Sequence, residues 1–109
     1  MTQKITIRLP KNLSDDLSLL GKELGMSKSD MIKTSILKYL VTNDMEDFKD
    51  FSIDKKETFR STMNVSDSLY KILEKQAKAY ETTINFLIIF SAKKTFDYYS
   101  EILKNINIH

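Results

Sequence analysis

Two short runs in this 109-residue chain alternate hydrogen-bond donors with apolar residues. In the first, Lys4, Thr6 and Arg8 interleave with Ile5, Ile7 and Leu9. In the second, Arg60, Thr62 and Asn64 interleave with Ser61, Met63 and Val65, with Phe59 in front. Side chains alternate across a β-strand, so each run places its donors on one face and its apolar residues on the other. The donor set suits base edges: lysine and arginine donate to guanine O6 and N7, asparagine both donates to and accepts from adenine, and threonine adds a hydroxyl and a methyl. The same face would also serve as the solvated side of an antiparallel sheet.

Other chemistry is poorly supplied. Cysteine is absent and the only histidine, His109, ends the chain, which leaves no thiolate nucleophile, no metal-ligand set and no disulfide framework. Asp15-Asp16 reads as helix-start charge rather than a catalytic carboxylate pair. Gly21 and Gly25 are the only glycines, too few for a phosphate-cradling loop. No enzyme, cofactor, metal or small-molecule substrate is implied.

The two donor runs belong to a longer repeat. Lys4 to Leu9 returns as Arg60 to Val65, a spacing of 56 residues, and the same spacing pairs Ser27 with Thr83, Met31 with Leu87, Ile32 with Ile88, Ser35 with Ser91 and Lys38 with Lys94. Each copy predicts a strand and two helices. In the first, Pro10 ends the strand, a helix runs from about Ser14 with Leu17, Leu20 and Leu24 inward, and Gly25 stops it. Ser27 then caps a second helix, with Met31, Ile32, Ser35, Ile36, Tyr39 and Leu40 inward, that fades near Thr42. In the second copy Leu69, Leu73, Ala77 and Tyr80 form the first stripe, Glu81 stands in the place of Gly25, Thr83 takes the capping role, and a last helix runs from about Ile84 to Ile102 or beyond.

The organisation is therefore a first repeat over residues 1–43, an acidic linker over 44–57, and a second repeat over 58–109. The formal charge of +2 hides a contrast, since both repeats are net basic and the linker holds six acids against three lysines. Each copy alone is below the size at which a lone core is usually stable, so the two are expected to share one core. Residues 4–9 should then pair antiparallel with 60–65, burying Ile5, Ile7, Leu9, Met63 and Val65. The N-terminus shows no apolar signal segment, and Phe86 to Phe90, the longest apolar run, is too short for a bilayer. The expectation is a cytoplasmic protein that does not engage a membrane.

Ile5-Thr-Ile-Arg-Leu-Pro10 and Leu24-Gly-Met-Ser-Lys-Ser-Asp-Met-Ile32 resemble the ribbon-helix-helix family, the superfamily of the Arc, MetJ and CopG repressors, with the second copy more diverged. The resemblance implies a mainly α fold with one short two-stranded antiparallel ribbon, a tandem arrangement forming a pseudo-dimer within one chain. It implies double-stranded DNA as partner, the ribbon in the major groove, and base contacts from Lys4, Thr6, Arg8, Arg60, Thr62 and Asn64. The second helix of each copy starts with free N–H groups, an anion site for a phosphate at Ser27, Lys28 and Ser29 and at Thr83, Ile84 and Asn85.

One stripe departs from the pattern. Phe86, Ile89 and Phe90 stand where the first copy has Asp30, Lys33 and Thr34. Either linker residues Phe48, Phe51 and Ile53 fold over it, or it is a protein interface, including one for self-association of whole chains. The leading expectation is a sequence-specific transcriptional repressor. The alternatives are an accessory DNA-binding protein of plasmid transfer or maintenance, and an antitoxin-like interaction module.

Overall fold

The computed structural model describes residues 2–54 and 57–106; Lys55, Lys56 and His109, which figured in the sequence reading, lie outside the described residues. Strand β1 (Thr2–Pro10) leads into α1 (Lys11–Leu24) and α2 (Lys28–Ser35), the latter continuing as a π-helical stretch, Ile36–Val41. A 3-10 turn, Phe48–Asp50, lies in the linker; β2 (Thr58–Ser66), α3 (Asp67–Ala79) and α4 (Ile84–Ile106) follow. The fold is mainly helical with one two-stranded antiparallel sheet, β1 against β2. No helix among the described residues is long and apolar enough to cross a membrane.

The strands pair because their inner faces are apolar and the helices bury them. Ile5, Ile7, Leu9, Met63 and Val65 are all buried, as the alternation predicts, and they join Leu13, Leu17, Leu20, Met31, Ile32, Ile36, Leu73, Leu87 and Ile88 in one cluster. Truncating a side chain as enclosed as Leu17 would cost about 2–5 kcal/mol.

The ends of corresponding helices are built alike. At the end of α1 the Met26 N–H donates to the Gly21 carbonyl at 2.7 Å and the Gly25 N–H to that of Lys22 at 3.4 Å. The end of α3 repeats both bonds, Thr82 to Ala77 at 2.9 Å and Glu81 to Lys78 at 3.2 Å. This closure needs a left-handed residue. Gly25 takes it at φ 75°, and Glu81 takes it at φ 52° despite its Cβ. Gly21 is required for a different reason: a Cβ there would sit 2.4 Å from the Met26 carbonyl oxygen.

One local expectation is corrected. α1 starts at Lys11, not near Ser14, so Asp15 and Asp16 lie beyond its first turn. Pro10 presets the entry, and the Lys11 N–H is satisfied by the Glu57 carbonyl at 2.9 Å rather than by a side-chain cap. The second helix ends at Thr42 as the sequence predicts, with its last six residues π-helical rather than α-helical. Gln76 of α3 supports that irregular end, its Nε2 donating to the Leu40 carbonyl and to Asn43 Oδ1, both at 2.9 Å.

The linker folds back on α4. Phe48 packs edge-on against Tyr80, Phe86 and Phe90 with ring centres 5.0–5.8 Å apart, and Phe51 against Phe86 and Phe90 at 5.4 and 5.2 Å. Lys94 fastens it further, donating to the Glu46 carbonyl at 3.1 Å. Phe90 is buried and Phe86 half-buried beneath these rings, and Ile89 belongs to the buried core. Of the two readings the sequence leaves open for Phe86, Ile89 and Phe90, the structure has the linker folding back, with Phe48 and Phe51 over Phe86 and Phe90.

Candidate nucleic-acid interface

The outward residues of both strands converge on one exposed face. The register pairs Lys4 with Asn64, Thr6 with Thr62 and Arg8 with Arg60, and all six are exposed. The cations are therefore unevenly placed. Two arginines oppose each other at the Pro10 end of the ribbon, and a lysine faces an asparagine at the other. No strand residue on this face is acidic, and among the described residues Lys4, Arg8 and Arg60 have no ion-pair partner.

A side chain from α4 shows which kind of cross-strand pair these are. The Arg8 N–H donates to Asn85 Oδ1 at 2.7 Å and Asn85 Nδ2 donates to the Arg8 carbonyl at 3.2 Å. Both polar groups of Arg8 thus point away from β2. Arg8–Arg60, and by parity Thr6–Thr62 and Lys4–Asn64, are pairs of the non-hydrogen-bonded kind, in which Cα atoms approach to about 4.5 Å. Like charges directly opposed in such a pair are destabilising. The free protein thus carries a local electrostatic cost that a polyanion would relieve.

The helix starts flank this ribbon differently from each other. At α2 the Ser27 hydroxyl accepts the Asp30 N–H at 3.1 Å, while Asp30 Oδ2 accepts the Ser27 N–H at 3.2 Å, a reciprocal capping box. The Ser27 hydroxyl, its backbone N–H and then Lys33 hold the Asp30 carboxyl below its usual range, so a negative charge already occupies this helix end. Lys28 turns back, its Nζ donating to Ser14 Oγ at 3.0 Å and lying 5.8 Å from the centre of the Phe59 ring. Ser29 is exposed beside it.

At α4 the Thr83 hydroxyl accepts the Phe86 N–H at 3.0 Å, and no acid lies in the first turn. The Asn85 side chain is committed to β1, so an anion here would meet backbone N–H groups, which lack intrahelical acceptors at a helix start. Lys28 would add a positive charge at the α2 start, where the α4 start has Ile84. The geometry favours α4 instead, because α2 carries Asp30 and its lysine is engaged elsewhere. No sequence signal marks the Asn85 contact, which joins residues 77 positions apart.

No family model matches the chain, and no curated protein or solved structure matches it either.

Proposed function

We propose that this chain is a non-enzymatic, sequence-specific binder of double-stranded DNA. In this reading it is a tandem ribbon-helix-helix pseudo-dimer that lays its ribbon in the major groove and represses transcription by occupying an operator in the cytoplasm. The observation that carries the reading is the outward ribbon face: six exposed polar side chains in three opposed pairs, three of them cationic, with no acid among them.

The dimensions suit the role. Strands spaced about 4.8 Å apart fit a major groove about 12 Å wide, with side chains reaching the base edges. From Lys4 to Arg8 the strand advances about 13 Å at about 3.3 Å per residue, close to four base steps. Arg8 and Arg60 donate to guanine O6 and N7 at one end. Lys4 donates and Asn64 pairs with adenine at the other, with Thr6 and Thr62 between. Backbone N–H groups at Ile84 and Asn85, and those at Lys28 and Ser29, receive phosphates and set the docking angle. Occlusion of an operator needs no catalytic group.

Internal equivalence supports the pseudo-dimer. The element order β-α-α occurs twice, the helix-end bonds at Gly25 and Glu81 and the hydroxyl caps at Ser27 and Thr83 recur at one spacing, and the ribbon register centres on Thr6 and Thr62, themselves equivalent.

Selection of bound duplexes from a random pool with purified full-length chain tests the proposal. The expected product is one enriched motif that is not palindromic within a single chain's footprint, with guanine at the end read by Arg8 and Arg60. A pool that shows no enrichment at low salt would refute sequence-specific binding.

A further inference from the structure

We infer that recognition is graded along the ribbon, sharp at the arginine end and tolerant at the Lys4–Asn64 end, with Asn85 as the positioning residue that makes the difference. This rests on the reading that the ribbon enters DNA. In a two-stranded ribbon every second residue turns its N–H and carbonyl away from the partner strand, where only a group outside the sheet can hold them. Here those residues are the base-facing ones, Lys4, Thr6 and Arg8 on β1 and Arg60, Thr62 and Asn64 on β2. Of the six, only Arg8 has such a partner among the described residues. Asn85 accepts its N–H at 2.7 Å and donates to its carbonyl at 3.2 Å, doing at one residue what a third strand would do along the whole edge.

The other strand lacks this grip. The 56-residue spacing carries Arg8 to Asn64 and Asn85 to Ser29. A serine hydroxyl is one short arm where the amide offers an acceptor and a donor side by side, and Ser29 makes no hydrogen bond to β2 among the described residues. α4 also lies against β1, and α2 has no comparable contact with β2. At the Lys4–Asn64 end the neighbouring bond, Gln3 Nε2 to Asp67 Oδ1 at 3.1 Å, joins exposed side chains and leaves the backbone of Lys4 and Asn64 unheld.

A fixed backbone fixes where a side chain begins. Arg8 therefore reaches the groove with its starting point set, and a planar, bidentate guanine contact gains most from such preorganisation. Lys4 is a flexible point charge on a strand segment that can shift with the groove, and Asn64 stands on the ungripped strand opposite it. The bound motif should accordingly be most selective at the base pair under Arg8 and most degenerate under Lys4 and Asn64.

The full chain and Asn85→Ser, which copies the first repeat's residue, provide the test. In amide hydrogen exchange of the free protein, protection at Arg8 should exceed that at Asn64 by about tenfold or more in the wild type and by less than about threefold in the variant. Duplexes altered one base pair at a time measure discrimination along the motif. The variant should lose about threefold or more at the Arg8 guanine, out of the roughly 5- to 150-fold that one bidentate contact supplies, and the loss should be confined to the arginine end. A variant that merely loosened the fold would lose discrimination at every position together. Equal protection at Arg8 and Asn64 in the wild type, a motif equally selective at both ends, or a variant with full discrimination at the guanine would each overturn the inference. A wild type that prefers no duplex would instead overturn the DNA reading itself, and the exchange data would still show whether Asn85 holds Arg8.

Discussion

The opposed arginines make Arg60→Thr the sharpest test, because stability and DNA affinity should move in opposite directions. Arg8 and Arg60 face each other in a close cross-strand pair, with no acidic residue on the outward face of either strand. Opposed charge pairs in sheets are worth about 0.2–1 kcal/mol, and two long exposed side chains splay apart, so the repulsion belongs in the lower half of that range. Threonine keeps the strand preference and removes one charge. The variant should gain about 0.3–0.5 kcal/mol, seen as a melting temperature about 1–3 °C higher at low salt. In 1 M salt, where the screening length is about 3 Å, the difference should vanish. Affinity for the selected duplex should fall about 5- to 150-fold, the 1–3 kcal/mol expected of one bidentate base contact, and preference should relax at a single base position. Parallel thermal melts and fluorescence-anisotropy titrations over a salt series measure both. A variant that is less stable at low salt and binds the selected duplex within twofold of wild type would refute the reasoning.

Three further outcomes follow from the same geometry. Glu81→Gly should stabilise the fold by about 0.5–1 kcal/mol in chemical denaturation, since it frees a left-handed residue of its Cβ, whereas Gly25→Ala should destabilise it. Asn85→Ala removes both hydrogen bonds to Arg8 and should cost about 1–3 kcal/mol, with faster hydrogen exchange at the Arg8 amide than at the Ile7 amide. Asp30→Asn should raise DNA affinity about two- to fivefold by removing a negative charge at the α2 start. Because the folded Asp30 carboxyl titrates below 3.8, its stabilising contribution is present above that pH and lost as pH falls through the lower folded value. Acid melts should therefore show wild type losing stability below pH 3.8 more steeply than Asp30→Asn.

The sequence alone determined what depends on neighbouring residues. The two-residue alternation through Lys4–Leu9 and Arg60–Val65 set which side chains face inward, because covalent geometry sends successive Cβ atoms to opposite sides of a strand. Ser27 and Thr83 were legible as caps because a hydroxyl reaches the N–H groups of its own first turn. Glu81 was legible as a closure without glycine because the spacing set it opposite Gly25. Tertiary structure decided everything that joins distant segments. Alternation permits several registers that keep the apolar residues inward, and packing of the shared core selected the one that opposes Arg8 to Arg60. The linker's hold on Phe86 and Phe90, one of two readings the sequence left open, was decided by packing, and the return of Lys28 to Ser14 and the grip of Asn85 on Arg8 have no local period to announce them. They exist because close packing of one small core brings together side chains whose separation along the chain carries no signal.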